Sequence, residues 1–518
     1  MFSSITSGAV HGIGSYLIQV EVDVSKGLPC FQMVGLLGSE VREARERVKV
    51  ALKNAGTPLP PMCINVSLSP ADLRKEGALF DLPVAVGILE ALEHLPKECT
   101  KNMLIIGELG LNGEVKPVKG VLPIVGKAKE KGITCCILPR DNAPQGAVVQ
   151  GMEIIGVSHL EETLRYLRME KRERKRFIPP LTIDVSALLA EKQKESDLDF
   201  ADVGGQETVK RAAEIAAAGF HHFLMIGPPG SGKTMIAKRM PTILPPLSLE
   251  ESMEVSTIYS IAGLLPPKEV LISSRPFIAP HHNITKQALT GGGKVPSPGM
   301  ATLAHRGILF LDEMAEFKRE TLDSLRQPLE DKNVQIARSN GNYSYPADMM
   351  LVGAMNPCPC GFYPDMHRCG CTPYEVHRYQ ERISGPILDR IDICVETNAI
   401  QISELTSGTL VKEESSEQIR ARVMKAREIQ QRRFVGTSLR FNTDMSVKEI
   451  RKYCPLGRSE EKMLEQAFDV LHLTARGYHR VLKVARTIAD LAGEERIKEA
   501  HLAEALCYRM PANRLGGE

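Results

Sequence analysis

No stretch of this 518-residue chain approaches the roughly 20 consecutive apolar residues that cross a bilayer, which excludes a helical membrane span. The opening Met1-Phe2-Ser3-Ser4 lacks the basic flank before an apolar core that marks a secretory leader, so a soluble cytoplasmic protein with no membrane partner is expected. An excess of one charge sign is missing too. Against 65 lysines and arginines stand 63 aspartates and glutamates, and the net charge of +2 excludes the general basicity of a nucleic-acid coat; any such contact must be local. Repeats and low-complexity tracts are absent, and the length suits about three domains with separate cores. Cysteine is not scarce, with twelve residues, but in a chain of this size and expected compartment most should be reduced core residues.

What is there is a phosphate-cradling loop. The apolar run Phe223 to Ile226 reads as a buried strand, and behind it come Gly227, Pro228, Pro229, Gly230, Ser231, Gly232, Lys233 and Thr234, with a helix expected from about Lys233. Glycines at those positions let backbone N–H groups turn inward on phosphates, Lys233 meets the β/γ oxygens and Thr234 offers a hydroxyl to Mg²⁺. The chain is therefore expected to bind ATP or another nucleoside triphosphate. A second buried strand, Ile308 to Leu311, ends in Asp312 and Glu313. Asp312 is expected to hold the Mg²⁺ shell and Glu313 to polarise the attacking water, which makes the reaction hydrolysis.

Residues 1–178 mix β-like stretches (Tyr16 to Val22, Cys63 to Leu68) with helical patterns (Ser39 to Ala55, Leu82 to Leu95) and read as a separate α+β domain. The charged run Arg168 to Arg176, Pro179-Pro180 and the polar stretch Glu191 to Asp197 read as a linker over 179–198; the basic run suits a solvated helix end or, less simply, a nucleic-acid grip. Residues 199–400 form the nucleotide domain, and 401–518 are helical by pattern, a lid.

The phosphate loop, Asp312-Glu313, a strand ending at Met355-Asn356 and a helical lid together resemble the AAA+ ATPases. The segments Arg275-Pro276-Phe277, Pro280-His281-His282, Gly291-Gly292-Gly293, Asn356 to Gly361, Gly385 to Asp392 and Leu482 to Leu491 resemble, more narrowly, the magnesium-chelatase-like ATPases of the YifB/ComM competence family, along nearly the whole chain. The resemblance implies that Asn356 senses the γ-phosphate and that Arg390 reaches a neighbouring subunit's nucleotide, so the active form is a homo-oligomeric ring, by analogy a hexamer. It gives the second sensor to Arg476, with Arg480 one helical turn later as the competitor. It also implies that residues of about 273 to 300 form a loop pointing into the ring pore. Val334 to Tyr345, around Asn340-Gly341, reads as a β-hairpin. Lys294, Lys332 and Arg338 are the candidates for gripping DNA there, against the alternative of ordinary solvated charge.

Cys358, Cys360, Cys369 and Cys371 form a Cys-x-Cys, Cys-x-Cys cluster that suits tetrahedral Zn²⁺. Free thiols or local disulfides are the alternatives, and His367 could replace one ligand. A closed four-ligand site is structural, and its expected task is to orient Arg390. His281 and His282, adjacent on what reads as a strand, should point to opposite faces and not share a metal.

Residues Gly27 to Leu95 and those following resemble the Lon-protease fold, but Gly77 to Pro83 holds no serine and Leu122 stands where the lysine is expected, so proteolysis is not implied. The leading expectation is a ring ATPase, and the resemblance to the competence family implies that it moves on DNA as a helicase of the branch-migration type, related to competence and recombination. A protein-remodelling or metal-insertion motor is the alternative, although the chain shows no acidic linker or Asp-x-Ser-x-Ser site. A nucleotide-gated adaptor is a third.

Overall fold

Alternation along Ile18-Gln19-Val20-Glu21-Val22-Asp23-Val24 puts the four apolar side chains on one face, and all four are buried in the strand Gly14–Ser25. The computed structural model describes every residue except 186, 189–196, 267–268, 294–295, 339–340, 399–412 and 510–518. Most of the polar stretch Glu191 to Asp197, Lys294 and Asn340 thus lie outside the described residues. The chain forms two units: Met1–Glu191 with Leu249–Ser273 and Arg338–Tyr343, and Lys192–Ser248 with Ser274–Ala337 and Ser344–Glu518.

In the first unit β1 (Phe2–His11) and β2 (Gly14–Ser25) pair as a hairpin, and β3 (Cys30–Val34), β4 (Cys63–Ser69), β5 (Met103–Ile105), β6 (Cys135–Pro139) and β7 (Glu153–Val157) complete a mixed sheet of order β3-β4-β2-β1-β5-β6-β7. Cys30 and Cys63, opposite each other on β3 and β4, are disulfide-bonded, and the other ten cysteines are free. Helices α1 (Ser39–Asn54), α2 (Asp81–Ala91) and α3 (Val121–Glu130) belong to this unit. Asp81, in the stretch that lacks a serine, is fully buried and receives Arg47 Nε at 2.7 Å, while Leu122 is a core residue. In the charged run, the helix Lys171–Phe177 turns Arg174 inward onto the carbonyls of Met169 and Leu167, so the run is not solvated throughout.

The sequence reading puts residues 249–273 in the nucleotide domain; the structure groups them with the first unit instead. The reason is packing: Met253, Val270 and Leu271 join the core under the seven-stranded sheet, and the helix Leu249–Ala262 accepts the Gly120 N–H on Ser260 O at 3.0 Å.

The second unit is built on a parallel sheet whose strands read as continuous apolar runs because both faces are covered. β8 (Phe223–Ile226), β9 (Phe277–Ile278), β10 (Ile308–Leu311), β13 (Met350–Met355) and β14 (Ile393–Glu396) take the order β9-β10-β13-β8-β14. Between β10 and β13 lies the expected hairpin, β11 (Asn333–Arg338) and β12 (Gly341–Pro346). Helices α4 (Glu207–Gly219) and α5 (Lys233–Ile243) pack on the sheet, and the C-terminal helices α6 (Ser416–Arg433), α7 (Val447–Tyr453), α8 (Arg458–Val470), α9 (Ala475–Leu491) and α10 (Glu499–Cys507) continue the same core, with Val423, Val481 and Leu502 joining Ile236 and Ile308. Capping residues set two of these helix starts: Ser415 and Gln418 form a capping box for α6, and Thr474 accepts the Gly477 N–H ahead of α9.

Asp490 on α9 is fully buried and is met by Arg433 NH1 at 2.8 Å, Arg486 Nε at 3.1 Å and Asn442 Nδ2 at 2.9 Å. Removing a carboxylate from between two arginines leaves uncompensated charge, so Asp490→Ala is expected to destabilise this unit by about 3–5 kcal/mol. Urea unfolding checks this, and an unshifted midpoint would show that the network adds nothing.

Candidate active site

The turn from β8 into α5 positions the phosphate loop, and its glycines are required. Gly230 and Gly232 sit at φ of 77° and 84°, left-handed backbone that disfavours a side chain, and a Cβ on Gly227 would lie 2.0 Å from Thr397 Oγ1. Lys233 opens α5 with its ammonium on the Gly227 and Pro228 carbonyls at 2.7 and 2.8 Å and 3.3 Å from Asn356 Oδ1. Thr234 Oγ1 donates to Asp312 Oδ2 at 2.8 Å. Asn356 follows β13, which pairs with β8 on one side and with β10, the strand before Asp312, on the other. Four of the residues named from sequence, Lys233, Thr234, Asp312 and Asn356, thus converge at the carboxyl ends of three adjacent strands.

Burial lowers the Lys233 ammonium to about 8, against the opposing pull of Asp312. Phosphates require the charged form, so between about 8 and the ordinary lysine value the empty site must take up a proton to bind nucleotide. Nucleotide affinity is expected to fall by up to about tenfold from pH 8 to pH 9, and Lys233→Arg, always charged, should lose that step. Titration with a fluorescent nucleotide at several pH values checks this; a flat profile for the native protein would overturn it.

Glu313 has φ 50° and lies 3.6 Å from His282 Nδ1. His281 and His282 do not face opposite ways, because β9 ends at Ile278 before Pro280; their rings lie 4.1 Å apart, off the strand. Sequence reasoning also missed Thr397, whose hydroxyl lies 2.7 Å from Ser231 Oγ behind the loop. No motif marks it; only the closeness to Gly227 does.

The arginines gather elsewhere. A cavity of about 290 Å³ is lined by Glu330, Lys332, Arg390, Arg476, Arg480 and Lys483 among others, and no phosphate-loop residue lines it. Glu330 binds Arg390 through one carboxylate oxygen and Arg476 NH2 through the other, at 2.9 Å in the second case. Arg480 is taken up by Asp392, which is also 3.4 Å from His221 Nδ1; burial alone would raise this carboxyl, but Arg480 and then His221 hold it well below the usual carboxylate range.

Of the DNA candidates, Arg338 is exposed at the end of β11, whereas Lys332 sits before the hairpin with its ammonium on Asp444 and on Asp348 at 3.1 Å. Lys332 is thus a neutralised ion-pair member, a correction to its reading as a gripping residue.

The four cysteines meet. Cys358 Sγ lies 3.3 Å from Cys360 Sγ and 3.8 Å from Cys369 Sγ, Cys360 lies 3.5 Å from Cys369, and all four sulfurs fall within 4.8 Å of one another. A tetrahedron with metal–sulfur bonds of about 2.3 Å has edges of about 3.8 Å, so the set fits a Zn²⁺-class ion. His367 is not part of the cluster. The expectation that this loop orients Arg390 is not met by contact: Arg390 is held by Glu330 and by the Pro386 carbonyl at 2.7 Å.

Three matches to known families cover most of the chain. Residues 199–405 match the family described as magnesium chelatase, subunit ChlI, residues 20–142 the subunit ChlI of Mg-chelatase, and residues 413–509 the ChlI C-terminal family. The competence protein ComM of Haemophilus influenzae is 40% identical over 508 residues, 98% of this chain and 97% of that protein. The YifB protein of Escherichia coli is 40% identical over 507 residues, 98% and 97% of the two chains. Lon protease 2 of Bacillus subtilis is 28% identical over 182 residues, 30% of this chain and 32% of that one.

Proposed function

Because this chain belongs to the YifB/ComM family of magnesium-chelatase-like AAA+ ATPases, we propose that it is a ring-forming ATPase, a hexamer by analogy, that couples hydrolysis to movement on DNA. The observation that carries the reading is the separation of the two charge sets. Lys233, Thr234, Asp312 and Asn356 face one another in one place, while Arg390 and Arg476 line a cavity from which the phosphate loop is missing. Arginines placed away from their own chain's phosphates suit a neighbour's nucleotide, and hydrolysis then requires the ring.

In this reading the loop N–H groups and Lys233 hold the β/γ-phosphates. Thr234 and Asp312 would hold Mg²⁺, which when bound would neutralise phosphate charge. Glu313 polarises the attacking water, Asn356 reads the γ-phosphate, and Arg390 meets the charge that develops on transfer. Arg476 is the preferred lid sensor over Arg480, because its partner Glu330 is half exposed, whereas Arg480 is held by the buried Asp392 that also faces His221. The four cysteines hold a structural Zn²⁺. The first unit is a non-proteolytic Lon-like domain that binds DNA or a protein partner.

The match to magnesium chelatase subunit ChlI favours a second reading, a protein-remodelling or metal-insertion motor. Steady-state ATPase activity with and without single-stranded, duplex and branched DNA, at two salt concentrations and beside Lys233→Ala as a blank, separates the two. Phosphate contacts predict stimulation that weakens as salt rises and is reduced in Arg338→Ala. ATPase indifferent to every DNA would favour the remodelling motor.

A further inference from the structure

Between the second and third cysteines of the cluster the chain touches the nucleotide site. Gly361, at φ 85°, lies so close to the phosphate loop that a Cβ there would stand 2.5 Å from Pro229 Cδ, 2.8 Å from Pro229 Cγ and 3.8 Å from Asn356 Cγ. Its position is tied to a sulfur: the Gly361 and Tyr363 N–H groups donate to Cys358 Sγ at 3.2 and 3.4 Å. Cys358 is fully buried and stands two residues after Asn356, whose Oδ1 receives Lys233. Gln380 Nε2 donates to the Pro357 carbonyl at 3.0 Å, fixing the intervening residue from the far side.

The segment from Pro357 to Cys371 contains no helix or strand. Its own apolar cluster is small: Cys358, Cys369 and Val376, with Cys360, Phe362 and Cys371 at the edge. A loop with so little core depends on a cross-link for its shape, and the four sulfurs stand at the spacing of a tetrahedral thiolate site.

We propose that the tetracysteine centre, loaded with a thiophilic divalent cation of the Zn²⁺ class, is a metal-dependent support of the nucleotide site, pressing Gly361 against Pro229 and Asn356 so that losing the metal weakens nucleotide binding. This deepens the ATPase reading and rests on it. Metal loss frees Cys358, Gly361 is no longer held against Pro229, and both the loop and the Asn356 contact to Lys233 loosen together.

The test uses the full-length protein, its zinc content measured by mass spectrometry and its affinity for a fluorescent ADP measured before chelation, after chelation and after adding Zn²⁺ back. About one zinc per chain is expected, with affinity falling at least tenfold on chelation and recovering with Zn²⁺. Cys371→Ser should lose the metal and the affinity together. Gly361→Ala should lose affinity, because its methyl group meets Pro229, with zinc content measured beside it and expected to stay near one per chain. Absence of zinc, undiminished affinity in the metal-free protein, or native affinity in Gly361→Ala overturns the proposal. If chelation unfolds the chain by circular dichroism, Cys371→Ser decides: native affinity in its folded, metal-free form overturns the proposal. Lys233→Ala reads out the underlying assignment separately: native ADP affinity in that variant removes the nucleotide site itself.

Discussion

Glu313→Gln is expected to lower ATP turnover by at least about a hundredfold while leaving ATP affinity near the native value, because general-base contributions are of that order and the amide keeps the shape of the carboxylate. The geometry makes the distinction clean. Glu313 makes no hydrogen bond to Lys233, Thr234 or Asn356; its side-chain neighbour is His282, 3.6 Å away. Binding should therefore persist in the variant, as judged by fluorescent ATP titration beside single-turnover hydrolysis. Turnover within a few-fold of native would move the water-polarising role to another group.

Arg390→Ala is expected to have an equal or larger effect, about a thousandfold or more on turnover, since an arginine acting in trans on phosphoryl transfer contributes on that scale. It should leave the affinity of each subunit for nucleotide nearly unchanged, because Arg390 lines the cavity away from the phosphate loop. Mixing decides the matter. An Arg390→Ala subunit has an intact loop and Glu313, a Glu313→Gln subunit an intact Arg390, so two nearly inactive preparations should regain part of the activity when combined. Continued inactivity of the mixture, in rings shown by light scattering to have formed, would contradict action between subunits.

Much of the nucleotide site was legible because its constraints are local. Short runs such as Phe223 to Ile226 and Ile308 to Leu311 announce buried strands, and the loop glycines meet a backbone demand that sequence spacing records. The C-terminal helices were legible for the same reason: caps such as Ser415 and Thr474 lie within three residues of what they cap. What sequence did not give depends on contacts between distant residues. Glu330 as the shared partner of Arg390 and Arg476, Lys332 as the partner of Asp444, and Gly361 against Pro229 are each set by packing across 60 to 146 positions in the chain, where no periodicity points. The histidine pair was misread because a strand was extended past Pro280, where the backbone stops pairing.

The helix Leu249–Ala262 bears on where the chain can be cut as well as on its stability. It is encoded inside the segment that carries the phosphate loop and Asp312, yet Met253 on it, and Val270 and Leu271 after it, join the core of the other unit. A gene fragment starting near residue 199 would leave Met253, Val270 and Leu271 without the core they join, and one ending near 178 would leave the sheet with part of its cover missing. Neither cut is therefore neutral: each parts Met253, Val270 and Leu271 from the core they join, and each piece is expected to be less stable than the same unit in the uninterrupted chain.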